Sequence, residues 1–432
     1  MRQYWYLFLG LLPALVSASD EIPGPPQKEP IAIVGATIHP ISGPDIEQGT
    51  ILFDQGRIIE LGRNVTPPSN ARIIQGSGRH VYPGLIGAHT ALGLEEVEYI
   101  SATVDDREFG DINPNLRVDK AYNPDSELIP VTRSNGVLMV ITTPKGGLLS
   151  GMAALMMLDG WTQEDVTLKP SVGLVVQWPA MIIADGENAE KRRKTRDLRL
   201  RKLHNAFADA RAYDIAKSAE AQAGIPYHDV DGRWEAMRPV LRGEVSVFIV
   251  ANTVDRIRAA VHFADTQQLK IVLVGGAEAW MVTDLLKARN IPVILEAVNR
   301  LPERRHDAYD AAYTLPRQLS DAGIRFAIGN TDEANERHLA SHAAQAVAFG
   351  LPMEEALKAL TLYAAQICGA DDRVGSLEAG KDATLIITDG NPLEYTTSVE
   401  QAFIQGRDVQ LTNRHTRLYD KYRERYRQLN AQ

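Results

Sequence analysis

The sequence predicts an α/β protein built around a parallel α/β barrel, with a second, β-rich unit drawn from both ends of the chain. Three observations predict it. From Val245 the pattern is regular: strand Val245–Val250, helix Thr253–Thr266, strand Lys270–Val274, helix Glu278–Arg289 and strand Pro292–Leu295, followed by a late strand within Asp321–Ile328 and helix Met353–Leu362. Strands alternating with helices of this length imply a parallel sheet closed by right-handed crossovers. Earlier, the turn signal Pro83-Gly84 opens a short apolar run that ends at His89, and the C-terminal ends of barrel strands are where functional groups sit. Finally, the β-type runs Ile31–Ile38 and Gly49–Gly62 are matched in texture by Arg373–Leu393 and Val399–Val409 near the other end.

Length and charge narrow the function classes. A chain of 432 residues suits one barrel of about 250 residues plus a smaller unit. The formal net charge of −9 and the lack of a basic tract argue against a nucleic-acid partner and leave a small-molecule substrate or ligand. The run Lys191–Lys194 is interleaved with Glu187, Glu190 and Asp197, so it reads as a solvated helix face. The single Cys368 excludes an intramolecular disulfide framework and a cysteine-rich metal site. At the end of an apolar stretch, Tyr363–Gly369, it reads as core filler.

In chain order, residues 1–18 read as a secretory signal, with Arg2, an apolar run Tyr4–Val16 and a Val16-Ser17-Ala18 cleavage site. The run falls short of the about 20 residues that span a bilayer, and no later stretch is longer. The expected mature protein therefore has no membrane span and lies outside the cytoplasm, in a bacterial periplasm. Residues 19–30, rich in proline, read as a disordered lead-in. After His89 comes an acidic segment carrying Glu95, Glu96, Glu98, Asp105, Asp106, Glu108 and Asp111. Its default reading is a solvated loop, although its place directly after the first barrel strand puts it at the barrel mouth. Ser134–Pro144 reads as strand two and Lys145–Gly151 as a glycine-rich turn, too unlike a phosphate loop to be one. Val172–Trp178 reads as strand three, Ala189–Gly224 as a long charged helix and residues 414–432 as a charged helical tail.

The stretch Pro83-Gly-Leu-Ile-Gly-Ala-His-Thr-Ala91 resembles the first barrel strand of the amidohydrolase superfamily, and Gly375-Ser-Leu-Glu-Ala-Gly-Lys-Asp-Ala383 resembles a string of its C-terminal portion. The strings Asn113–Arg117 and Ala121–Ser126 resemble a secreted, imidazolonepropionase-like subgroup. The resemblance covers nearly all of the expected mature chain. It implies a distorted (β/α)8 TIM barrel over residues 80–370 and a small composite β-sandwich from residues 31–79 and 371–413.

The resemblance also implies a divalent cation, often zinc, bound by histidines and an aspartate, which lowers the pKa of bound water to about 7. Carried over by position, His89 matches the first ligand, while Ala91 stands at the second histidine position. Val250 and Asn252 stand where close relatives carry a histidine pair, and Gly275 stands at the next ligand position. At the last strand, simple spacing puts Thr331 at the catalytic aspartate and a one-residue shift restores Asp332. A catalytic zinc needs three protein ligands and an open position, and at most two survive, so no tightly bound metal is expected. Zinc or another divalent cation belongs to the site only if the superfamily activity is retained. His338 and His342, four apart, form a minor substitute candidate, more simply read as a solvated helix face.

Three readings stay open. One is a hydrolase of non-peptide carbon–nitrogen bonds, in a cyclic amide or an acyl-amino compound, with an altered metal site. Another is a catalytically inactive envelope protein that binds a small molecule or partner at the barrel mouth. The last is a scaffold without pocket chemistry.

Overall fold

The computed structural model describes residues 21–220, 226–302, 304–305 and 307–430; the expected signal at residues 1–18 lies outside them. The first strands are β1 (Ile31–Ile38), β2 (Ile46–Asp54), β3 (Arg57–Gly62), β4 (Arg72–Gln75) and β5 (His80–Pro83). The barrel strands are β6 (Leu85–Thr90), β7 (Val137–Thr142), β8 (Leu149–Met157), β9 (Thr167–Gln177), β10 (Ser246–Ala251), β11 (Ile271–Gly275), β12 (Val293–Leu295) and β13 (Phe326–Ile328). The last three are β14 (Leu385–Thr388), β15 (Val399–Ile404) and β16 (Arg407–Val409).

Strands β6 to β13 form one eight-stranded sheet in which each strand pairs with its sequence neighbours. It is a nearly closed barrel: β13 and β6 approach so closely that a Cβ on Gly329 would lie 2.8 Å from the backbone nitrogen of His89. One strand departs from expectation. The glycine-rich stretch is a turn only as far as Leu148, after which β8 runs antiparallel to both β7 and β9. The other neighbouring pairs are parallel, so the barrel is distorted by a single reversed strand.

The eight outer strands form a second sheet in the order β16-β15-β14-β5-β1-β2-β3, with β4 beside β1. Here β5 is the seam. It pairs with β1 on one side (Thr37↔His80) and antiparallel to β14 on the other (Leu385↔Pro83), so chain start and chain end meet across it. The chain divides at the Pro83-Gly84 turn: His80–Pro83 joins the small sheet and Leu85–Thr90 the barrel. This sheet has its own apolar core, including Ile33, Ile51, Phe53, Val81, Leu385 and Phe403. Its hairpins β2–β3 and β15–β16 both turn on Gln-Gly pairs with positive φ, Gln55-Gly56 and Gln405-Gly406, as two-residue turns with right-handed strand twist require.

The helices are α1 (Val118–Ala121), α2 (Leu128–Arg133), α3 (Gln163–Val166), α4 (Ala189–Ala219), α5 (Gly232–Leu241), α6 (Val254–Gln267), α7 (Thr283–Ala288), α8 (Ala311–Asp321), α9 (Leu339–Ala348), α10 (Met353–Ala359), α11 (Leu362–Ile367) and α12 (Arg414–Asn430). None is long and apolar enough to cross a membrane among the described residues. Cys368, at the end of α11, is buried, and burial pushes its thiol up to about 12; it is inert filler, as the sequence suggests.

The lead-in differs from expectation. Residues 21–30 lack regular structure but are tied down: Gly24 donates its N–H to Asp159, and Glu21 pairs with Arg133. Arg133 in turn bonds Asp159, which also pairs with Arg407 of β16. Arg133 and Asp159 are almost fully buried, and each charge there has a partner, the condition under which buried ions persist.

Candidate functional site at the barrel mouth

The site is assembled at the C-terminal ends of the first, second and last barrel strands. His89 closes β6 with its Nδ1 shielded from solvent and without a hydrogen-bond partner. Burial, reinforced by the nearby Lys145 ammonium, pulls the imidazole down to about 4; it is neutral at pH 7. Lys145 follows β7 and reaches the same region. Its Nζ lies 3.0 Å from Glu95 Oε2, 3.7 Å from Glu333 Oε2 and 3.8 Å from Asp106 Oδ2. Burial works against the ammonium, yet the bond to Glu95 and the charges of Glu333 and Asp106 outweigh it and raise its pKa.

These partners correct the reading of the acidic segment. Glu95 and Asp106 are buried, not solvated. Asp106 is also gripped by Arg107, whose Nε donates to Oδ1 at 2.7 Å and Nη2 to Oδ2 at 3.1 Å. The segment thus folds back over the mouth and delivers carboxylates to Lys145, while Glu98, Asp105 and Glu108 stay exposed.

Beyond β13, beside β6, the expected aspartate plays another part. Asp332 is exposed and caps the short 3-10 helix Glu333–His338, accepting from the Asn335 N–H at 3.3 Å and from Asn335 Nδ2; Thr331 is exposed as well. The buried acids are its neighbours. Burial raises the Glu333 carboxyl above its ordinary range, against the pull of Lys145. Glu336 is fully buried against Gly87, where a Cβ would come within 2.0 Å of its Oε1. Burial first, then the charges of Glu333 and Asp332, push it up to about 8 despite the adjacent Thr90 hydroxyl. Neither Glu336 oxygen has a well-formed hydrogen bond, and Asn330 Nδ2 is likewise buried without a partner.

The remaining ligand positions do not fit a metal. Ala91 is buried and offers a methyl group. Val250 is an aliphatic side chain on β10. Asn252 and Gly275 have become one structural device: Asn252 Oδ1 accepts from the Ala277 N–H at 3.3 Å, and its backbone carbonyl accepts from Glu278 N–H at 2.9 Å. Gly275 holds φ +89°, and a Cβ there would lie 2.1 Å from Asn252 Oδ1. A side chain at 275 would be strained by the positive φ and would meet the Asn252 side chain. The substitute pair fails too. His338 is exposed, while His342 is buried in α9 with Nδ1 accepting from the Val298 and Asn299 N–H groups at 3.0 and 3.1 Å. No group of three or more histidine, cysteine, aspartate or glutamate side chains is arranged to hold a metal ion among the described residues.

Sequence reasoning pointed to His89 and gave no site role to Lys145, Glu95, Asp106, Glu333 or Glu336. One signal for Lys145 was available: it stands directly beyond strand two, at the functional end of the barrel.

Comparison with known proteins agrees with this architecture. Residues 257–412 match the family model described as the amidohydrolase family. The chain is 24% identical over 421 residues to the amidohydrolase tasK of Hapsidospora irregularis, with 91% of this chain aligned, and it spans 42% of that relative's length. The crystal structure of an amidohydrolase from Thermotoga maritima MSB8 superposes with a TM-score of 0.78 at 25% identity, covering 88% of this chain and 99% of that one. An adenosine deaminase from Xanthomonas campestris with bound zinc shares the fold, with a TM-score of 0.52 at 16% identity over 94% and 100% of the two chains. Together with the barrel and the outer sheet of chain ends, the family match, the amidohydrolase relative and the Thermotoga maritima structure support placing the chain in the amidohydrolase superfamily.

Proposed function

We propose that this protein acts at its barrel mouth on a small molecule and hydrolyses a non-peptide carbon–nitrogen bond, in a cyclic amide or an acyl-amino compound, without the full metal-ligand set of its superfamily. The observation that carries the proposal is the group of buried, unsatisfied polar atoms at the strand ends: His89 Nδ1, Asn330 Nδ2 and both oxygens of Glu336. Each such atom costs about 1–3 kcal/mol, and perturbed, unmatched polar groups in a barrel mouth mark sites that meet a ligand. In this reading the Lys145 ammonium is a fixed positive charge near the reacting carbonyl. His89, neutral at pH 7, accepts a proton. Glu336, holding its proton up to about pH 8, is a buried acid. Zinc or another divalent cation enters this scheme only as a weakly held activator, because the residues present do not form its cage.

A second reading is a non-catalytic barrel of the cell envelope, exported by the signal expected at residues 1–18, that binds its ligand without turnover. It is favoured by the Asn252–Gly275 device, in which two positions that the resemblance reads as ligand positions serve the scaffold. Incubation of the protein with a panel of cyclic amides and N-acyl amino compounds, with and without a chelator, separates the two. Release of free amine that disappears in His89→Ala and Lys145→Met supports hydrolysis. Ligand-dependent thermal stabilisation without product supports binding, and neither response on any compound defeats both.

A further inference from the structure

We infer that the C-terminal helix α12 is an anionic-membrane contact that lies on, and does not span, a lipid surface. The helix has no buried residue, yet it carries Leu418, Tyr419, Tyr422, Tyr426 and Leu429 at exposures of 40–65%. At about 100° per residue these five fall on one arc roughly 100° wide. Arg414, Lys421 and Arg425 follow along one edge of that arc and Arg423 along the other, while the two acids, Asp420 and Glu424, lie on the opposite side with Arg417 and Arg427. Leucine and tyrosine inward, basic residues at the rim and acids outward is the order of an interfacial helix.

The way α12 is attached points this face away from the body. Arg417, on the polar side, pairs with Glu21 at 2.7 Å and Glu127 at 3.3 Å. At the helix start Asn413 Oδ1 accepts from the His415 and Thr416 N–H groups, and its Nδ2 donates to Ser134 Oγ at 2.8 Å. The acid-bearing side is thus nearest the protein and the apolar arc is free. Charge selects the occupant. Six basic and two acidic residues give α12 a formal charge of +4 within a chain of net −9. Two copies of this helix repel each other, whereas an anionic bilayer attracts it; each basic residue near such a surface adds about fivefold in affinity. Tyrosine is suited to the boundary, with an apolar ring and a polar tip.

The test is co-sedimentation of the full chain with large unilamellar vesicles, either phosphatidylcholine alone or phosphatidylcholine mixed with phosphatidylglycerol. Binding to the anionic vesicles at about 50 mM salt, lost at about 500 mM salt and absent on neutral vesicles, is the expected result. Lys421→Glu with Arg425→Glu, and separately Leu418→Asp with Tyr422→Asp, should each weaken it at least tenfold. Because none of these side chains is buried, the variants should keep the wild-type unfolding midpoint, which checks that they fold. Absence of binding, binding indifferent to the substitutions, or a dimer in ultracentrifugation that depends on Leu418 and Tyr422 without vesicle binding would overturn the inference.

Discussion

Lys145 faces three carboxylates, of which Asp106 is also held by Arg107, so its removal should be felt mainly through Glu95 and Glu333. Lys145→Met is expected to cost about 2 kcal/mol in urea unfolding at pH 7, less than the ~3–5 kcal/mol of a fully buried pair because a third of the lysine side chain meets solvent. A variant as stable as wild type would show that Glu95, Asp106 and Glu333 find other compensation. Glu336 makes a prediction in pH. Its folded pKa, about 8, is raised above the ordinary 4.5, so the folded state keeps a proton that the unfolded chain loses. Stability is therefore greatest below pH 4.5 on this account and falls as pH rises through 8, by up to about 1.4 kcal/mol per pH unit. His89 and His342, lowered from 6.5 to about 4, act in the opposite sense and only at lower pH, where their stabilisation is lost as pH falls from 6.5 through 4. Between pH 6.5 and 8 wild type should lose stability while Glu336→Gln stays flat; parallel curves would remove the carboxyl from this role. His89 could be found from sequence because one strand and one turn define it. The charges around Lys145 could not, since Glu95, Asp106 and Glu333 converge from distant segments, and locally each reads as a solvated surface acid.

Among the elements, the turn after β11 brings Gly275 against Asn252, and the two should be coupled there. Gly275→Ala introduces a side chain at φ +89° and against Asn252 Oδ1, an expected cost of about 2–3 kcal/mol. In an Asn252→Ala background the steric part disappears, and a double-mutant cycle should return about 1 kcal/mol or more of coupling; simple additivity would mean that the two positions are independent. The element hidden from sequence is β8. Its nine residues, Leu149–Met157, are all buried, so they lack the alternation that marks a half-buried strand. Its first residues also lie inside a stretch whose glycines signal a turn, and Gly146 and Gly147 do supply one, with φ of +84° and +67°. By contrast the helix–strand alternation from Val245 onward was legible, because helices covering a parallel sheet show their period while its strands are continuously apolar.

For the whole molecule, the lack of a metal-ligand cage among the described residues gives a direct expectation: after dialysis without chelator, elemental analysis should find much less than about one zinc per chain. Stoichiometric zinc that vanishes in His89→Ala would restore a metal-dependent site and refute the fit made from Ala91, Val250, Asn252 and Gly275. The expected small sheet of chain ends was readable because its runs recur in matching texture on both sides of the barrel. What could not be read was the route by which residues 21–30 are fastened to it, through Arg133, Asp159 and Arg407, which are far apart in sequence. The seam at β5 bears on how such a chain is made. During synthesis β1 to β5 emerge first, and the edge of β5 that will receive β14 stays unpaired until roughly 300 further residues have been added, on the order of half a minute at ordinary rates. An open strand edge of that lifetime is a template for pairing with another nascent chain. The outer sheet is thus the last part of the protein to be completed and the first place where crowded synthesis would produce tangled chains.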